Sequence, residues 1–254
     1  VIGFASTFMI YMFIFLYAAQ IMRGVIEEKT SRIVEVIISS IKPMQLMMGK
    51  IIGIASVGML QFLIWILLTS VFMIAAAASG ILSPDLAGVD PAMMAAEGMD
   101  PSTMSLAFGT IQALNLPLIL GCFVFYFIGG YLMYGALFAA VGAAVDSETD
   151  TQQFMLPLTM PMVLSFIMAT RIMQEPGSDL SFWLSIIPFT SPVSMMMRLP
   201  FGVPIWEMAL SMTLLVLGFL FTTWLAGRIY RIGILTFGKK VTYRDLWRWI
   251  RMKP

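Results

Sequence analysis

The residues with the most chemical potential in this chain fall in three short stretches. GVIEEKTSRIVEVIISSIKP, Gly24 to Pro43, mixes Glu27, Glu28, Lys29, Arg32 and Glu35 with aliphatic bulk. DSETD, Asp146 to Asp150, clusters carboxylates, and GILTFGKK, Gly233 to Lys240, sets glycines ahead of a lysine. Mixed charge at helical spacing can dock a protein, clustered carboxylates can hold a cation, and a glycine-lysine string can cradle phosphate. The last possibility fails on its own terms. Lys240 stands where a phosphate loop needs Ser or Thr, no strand precedes it, and only fourteen residues follow where a nucleotide fold needs far more. The chain has no His, which removes His-based zinc motifs, Ser/His/Asp triads and imidazole relays. Its single cysteine, Cys122, sits in an apolar run, forms no internal disulfide and reads as packing. DSETD reads as a solvated loop leading into a helix start at Asp150 and Gln153, with a cation site as the alternative.

The elements that must position these groups follow from composition. Of 254 residues, 59% are hydrophobic and 11% charged, and the mean hydropathy is +0.91; soluble domains carry about 25% charged residues. The chain is an integral membrane protein. A bilayer core about 30 Å thick needs roughly 20 helical residues, and five runs supply them: Ile2 to Met22, Ile51 to Ala78, Leu114 to Val145, Phe154 to Met173 and Trp206 to Tyr230. The expected fold is an all-α polytopic helical bundle, with residues 1–230 as the transmembrane domain and 231–254 as a cytoplasmic amphipathic tail.

The net charge of +1 says little, whereas the placement of Lys and Arg sets orientation. Arg23, Lys29, Arg32, Lys42 and Lys50 lie between the first two runs, eight more lie from Arg228 onward, and only Arg171 and Arg198 remain of the fifteen. The loop 79–112 has no Lys or Arg and four acids, Asp85, Asp90, Glu97 and Asp100. The positive-inside rule therefore puts 23–43 and the tail in the cytoplasm, and loops 79–112 and 174–205 outside. Five spans that end inside must begin outside. The first run has no basic flank or cleavage site and so does not read as a signal peptide, and at least one earlier span, with an external domain, is expected before residue 1.

Two connections carry a pattern of their own. In SIIPFTSPVSMMMRLPFGVP, Pro188, Pro192, Pro200 and Pro204 forbid one continuous helix although the composition stays apolar. A re-entrant-like outer loop of short helical pieces fits, and so does a hydrophobic loop folded over the span tops; irregular backbone at that depth must be covered by protein or face a water-filled cavity. For 23–43, a helix at about 100° per residue gathers Glu28, Arg32, Glu35, Ser39 and Lys42 within an arc of roughly 80°, opposite Ile26, Ile33, Val34, Ile37 and Ile41. Glu28 and Arg32 then form an i,i+4 pair, and Pro43 ends the helix. A plain interfacial connector has a mainly basic polar face; this one mixes signs, as a protein-docking surface does. The tail TYRDLWRWIRMKP starts with Thr242 and Asp245 spaced as a capping box. Tyr243, Leu246, Trp247 and Ile250 gather on one side and Arg244, Arg248 and Arg251 on another, the pattern of a helix lying on anionic lipid.

EEKTSRIVEVIISSIKPMQLMMGKIIG, Glu27 to Gly53, resembles the signature segment of ABC export permeases of the type-two family, in the branch of the NatB-like sodium-extrusion permeases. The shared features are an acidic pair, Lys, a small polar residue, Ser, Arg, a Glu among aliphatics and then Ser-Ser. The resemblance implies a six-span permease with an external domain between its first two spans, of which this chain would hold spans two to six. It implies that Glu27, Glu28, Lys29, Thr30, Ser31, Arg32 and Glu35 contact an ATP-binding subunit from a cytoplasmic coupling helix. It further implies a second permease copy, homo- or heterodimeric, and ATP and Mg in the partner rather than in this chain.

The expectation is thus a permease subunit of an ATP-driven ABC exporter, without a cofactor, metal or enzyme activity of its own, in the bacterial cytoplasmic membrane. Its partners are the ATPase, a second copy and lipid, not nucleic acid. The substrate is sodium, or a drug- or lipid-like compound; the scarcity of ionisable groups within the spans, where Gln61, Gln112, Asn115, Thr159 and Thr170 are the polar candidates, favours the bulky amphipathic kind. The alternatives are an ATPase-independent secondary transporter or channel, or a non-transporting scaffold subunit.

Overall fold

A computed structural model describes residues 2–38, 40–78, 116–238 and 241–252. The acidic loop expected at 79–112 lies outside them. Among the described residues the chain is helical, with no strand. In order come α1 (Ile2–Thr30), α2 (Ile33–Ile38), α3 (Pro43–Ala78), α4 (Leu116–Ala144), a 3-10 turn (Thr149–Thr151), α5 (Gln152–Ile167) and α6 (Ala169–Gln174). They are followed by α7 (Asp179–Ile186), α8 (Ser191–Arg198), a second 3-10 turn (Leu199–Phe201), α9 (Ile205–Gly233) and α10 (Tyr243–Arg251). Among the described residues, five stretches are long and apolar enough to cross a membrane: Gly3–Thr30, Pro43–Phe72, Pro117–Ala144, Thr149–Gln174 and Ile205–Gly233. They are the five runs of the sequence, and the chain is an all-α polytopic membrane bundle.

Two compact units divide the chain, one of residues 1–56 with 119–254 and one of residues 57–118. In the second, the described part is the later portion of α3, apolar but for Gln61, Thr69 and Ser70, and the first turn of α4.

The first unit is organised around α1 and α4. Ile10, Ile14, Ile21 and Val25 are fully buried and recur at helical spacing along one face of α1. That face meets α4, where Tyr17 and Tyr131 cross edge-to-face with centroids 6.5 Å apart and Tyr131 donates its hydroxyl hydrogen to the Ile51 carbonyl at 2.8 Å.

Between the long helices, α7 and α8 form a helical hairpin. All eight residues of α8 are buried. At its turn, Pro188 packs where a Cβ on Gly218 would fall 2.7 Å away, and Pro192 lies within 2.9 Å of a Cβ built on Gly130. Gly218 is near the middle of α9 and Gly130 near the middle of α4, so the turn reaches the mid-depth of the bundle. Short helical pieces rather than a loop over the span tops therefore form the apolar connection at 174–205. Backbone at this depth needs internal partners, and it has them. Tyr134 donates to Phe189 O (2.7 Å), Ser165 to Thr190 O (3.1 Å), Thr7 to Val193 O (3.1 Å) and Ser211 to Ser185 O (2.6 Å).

Pro157 and Pro161 lie inside α5. Proline lacks an N–H, so the carbonyl four residues before Pro157, that of Gln153, loses its helical donor. The Tyr243 hydroxyl of α10 donates to that oxygen at 2.5 Å, and the two rings Phe154 and Tyr243 meet edge-to-face at 5.0 Å. The tail is thereby seated on the proline-containing helix α5. Thr242 and Asp245 do form the expected capping box, with Thr242 N–H donating to Asp245 Oδ2 at 3.0 Å. Trp249, which the sequence pattern left unassigned, is the buried residue of α10 and packs beside Gly233.

Candidate functional site

The segment 23–43 departs from a single amphipathic helix. α1 runs on through Thr30 because its inner face still finds partners: Val25, Ile26 and Lys29 are all buried. The Thr30 hydroxyl donates to Ile26 O and that of Ser31 to Glu28 O, and Arg32 then adopts φ 57°, in the left-handed region. That geometry ends a helix and usually falls to glycine; here it bends the chain into α2. Pro43 does not close the segment but opens α3, where a proline's missing N–H costs nothing. Gln45 reaches back to accept the Lys42 N–H at 3.2 Å, half of a capping box.

The bend redistributes the charges. Glu28, expected beside Arg32, pairs instead with Lys50 of α3 at 2.7 Å. Lys29 turns inward, its side chain 0% exposed, to Asp146 Oδ1 at 2.9 Å and the Ala143 carbonyl at 2.8 Å. Asp146 also accepts the Gly238 N–H at 2.6 Å, so one carboxylate ties α1, the end of α4 and the turn after α9. The remaining DSETD carboxylates are occupied likewise: Glu148 lies 3.9 Å from Arg23 and Asp150 accepts from Ser147 at 2.7 Å. No group of acids suited to a metal occurs among the described residues.

Of the seven candidate residues, Glu28 and Lys29 are therefore internal ties, while Glu27, Thr30, Ser31, Arg32 and Glu35 are exposed. Ile33 and Val36 are exposed beside them at 54% and 73%, and Val34 is fully buried beneath. Arg32 lies 6.0 Å from the Phe237 ring centroid, within range of a cation–π contact. The result is a short elbow of alternating charge and aliphatic side chains, anchored from below at Lys29, Val34 and Glu28.

At the other end of the bundle a second buried pair escaped the sequence reading. Arg198, in the last turn of α8, meets Glu207, in the first turn of α9, at 2.9 Å, each complementing its own helix dipole. An Arg and a Glu a few residues apart in an otherwise apolar stretch were the available signal, since charges at membrane depth are normally paired. A cavity of about 340 Å³ is lined by apolar side chains of α4, α5, α9 and α10, among them Val141, Pro157, Ile229 and Leu246. Another, of about 510 Å³, surrounds Arg198 and Glu207.

Five membrane-length helices among the described residues, with a helical hairpin at one end and a charged elbow at the other, make this a multi-pass membrane protein. The chain belongs to the family described as ABC-2 family transporter protein, whose sequence profile matches residues 1–228. It is 29% identical over 246 residues to YhaP of Bacillus subtilis (strain 168), described as an uncharacterized protein, covering 96% of this chain and 54% of that one. It is 26% identical over 245 residues to the uncharacterized MJ1024 of Methanocaldococcus jannaschii, covering 96% of this chain and 51% of that protein. The chain thus spans about half the length of these curated relatives. No solved structure matches.

Proposed function

We propose that this chain is the membrane-embedded part of an ATP-driven exporter, and that its elbow at residues 27–35 receives the stroke of a separate ATP-binding subunit. The observation that carries this reading is the elbow itself: exposed, mixed in charge, and tied by Lys29–Asp146 and Glu28–Lys50 to α4 and α3. A push there is transmitted as a rigid-body tilt, because α1 is one unbroken helix from Ile2 to Thr30. ATP and Mg belong to the partner, since Gly233 closes a long apolar helix where a phosphate loop would need a strand before it. The exporter pairs with a second permease copy in a bacterial cytoplasmic membrane. Its substrate is lipid- or drug-like rather than sodium. The support is the cavity of about 340 Å³ beside α5, whose apolar lining suits a hydrocarbon chain.

The test is co-purification of the full-length protein with its genomically neighbouring ATP-binding subunit in mild detergent. Combining Arg32→Glu with Glu35→Lys reverses two exposed charges without touching the internal ties, so association and permease-stimulated ATP hydrolysis should fall while thermal stability holds. An undiminished association would overturn the assignment. Glu28→Lys is unsuitable, because it sets a cation against Lys50.

A further inference from the structure

We propose that the cavity around Arg198 binds the zwitterionic headgroup of a membrane phospholipid, its phosphate accepting from Arg198 and its ammonium held by Asp179 and Trp206. Arg198 is 5% exposed, and two of its three nitrogens are engaged: Nε donates to Pro176 O at 2.8 Å and Nη2 meets Glu207 at 2.9 Å. Nη1 is buried without a partner. A buried guanidinium donor left unmet asks for an acceptor, and Arg198 borders a cavity of about 510 Å³ that can hold one.

The other groups on the cavity narrow the class. Glu207 already balances the charge of Arg198, and Asp179 contributes an exposed carboxylate, so the site is net negative. A purely anionic ligand is repelled there, and a purely cationic one leaves Nη1 unmet. A ligand carrying both a phosphate and an ammonium answers both. Phe182 and Trp206, with centroids 5.9 Å apart, offer the aromatic face that cations favour. Trp183, Trp206 and Phe201 are exposed at 60%, 59% and 50%, an aromatic girdle of the kind that sits at headgroup level. The girdle makes lipid the occupant. This inference needs only that the α7–α9 end meets a lipid leaflet; it stands or falls apart from the ATP-coupling reading.

The test uses the full-length protein in mild detergent and native mass spectrometry, with phosphatidylethanolamine and phosphatidylglycerol of identical acyl chains. Phosphatidylethanolamine should be retained about tenfold better, the effect of one charge-assisted hydrogen bond, and Asp179→Asn should erase that preference. Asp179 is exposed, so the variant keeps the fold, and Trp206→Leu provides a second one with the same expected loss. Equal retention of the two lipids, or a preference that survives Asp179→Asn, would overturn the proposal. Displacement by millimolar phosphoethanolamine, which lacks acyl chains, would overturn the lipid as occupant.

Discussion

Lys29 shows how one side chain can be mistaken when its sequence neighbours are all one has. Placed on an isolated helix it joins a solvated charged face; in the folded chain it is 0% exposed and bonded to Asp146 and Ala143. Removing one member of a buried pair strands the other charge, at about 3–5 kcal/mol, whereas removing both is often tolerated. Lys29→Met and Asp146→Asn should therefore each lower the unfolding free energy by about that amount in detergent, and the double variant should recover most of the loss. Two additive losses would show that the pair is not a unit. Arg32 makes an opposite prediction. Holding a side chain at positive φ costs roughly 1–2 kcal/mol, so Arg32→Gly should raise stability by about 1 kcal/mol. If the elbow couples to an ATPase, the same variant lowers stimulated hydrolysis, because the docking guanidinium is gone. Stability and coupling moving in opposite directions separate a functional strain from a mere fold requirement.

At the scale of elements, the sequence made some features legible and hid others for a physical reason. The five spans were readable because apolar length alone defines them, and the proline spacing at Pro188, Pro192, Pro200 and Pro204 foretold short pieces rather than one helix. The partners of those pieces were hidden, because Gly130 and Gly218 become docking notches only when Pro192 and Pro188 arrive from far along the chain. The break at Arg32 was hidden too: periodicity continues across it, and a left-handed arginine has no composition signature. Packing at the notches is tight enough that Gly218→Ala and Gly130→Ala should each destabilise the protein, by about 1–3 kcal/mol, the typical cost of overpacking. Gly177→Ala, whose Cβ meets nothing within 4 Å, serves as the control. Tyr243→Phe tests the tail's seat. It deprives the Gln153 carbonyl of the donor that replaces the one lost to Pro157, and about 1–3 kcal/mol should go with it. Protease accessibility of α10 should rise, whereas an unchanged digest would show that the edge-to-face contact with Phe154 alone holds the tail.

The first unit has two chemically distinct ends, and the proposed roles of the whole protein depend on which side each faces. One end gathers Lys29, Arg32, Lys42, Lys50, Arg228 and the arginines of α10, the loading that keeps a segment in the cytoplasm. At the other end lie α7, the start of α9 and the exposed Trp183 and Trp206. Force applied at the first end must reach the second through α1, α4 and α9, and the helical hairpin wedged at Gly130 and Gly218 couples those helices at mid-depth. The orientation has a direct measure. The native thiol, Cys122, is 3% exposed and should stay silent toward a membrane-impermeant maleimide, so Glu35→Cys and Asp179→Cys can be labelled one at a time in intact cells. Asp179→Cys should react at once, and Glu35→Cys only after the membrane is permeabilised. If the order is reversed, the elbow faces away from every cytoplasmic ATPase, and the coupling proposal fails while the fold and the family assignment stand.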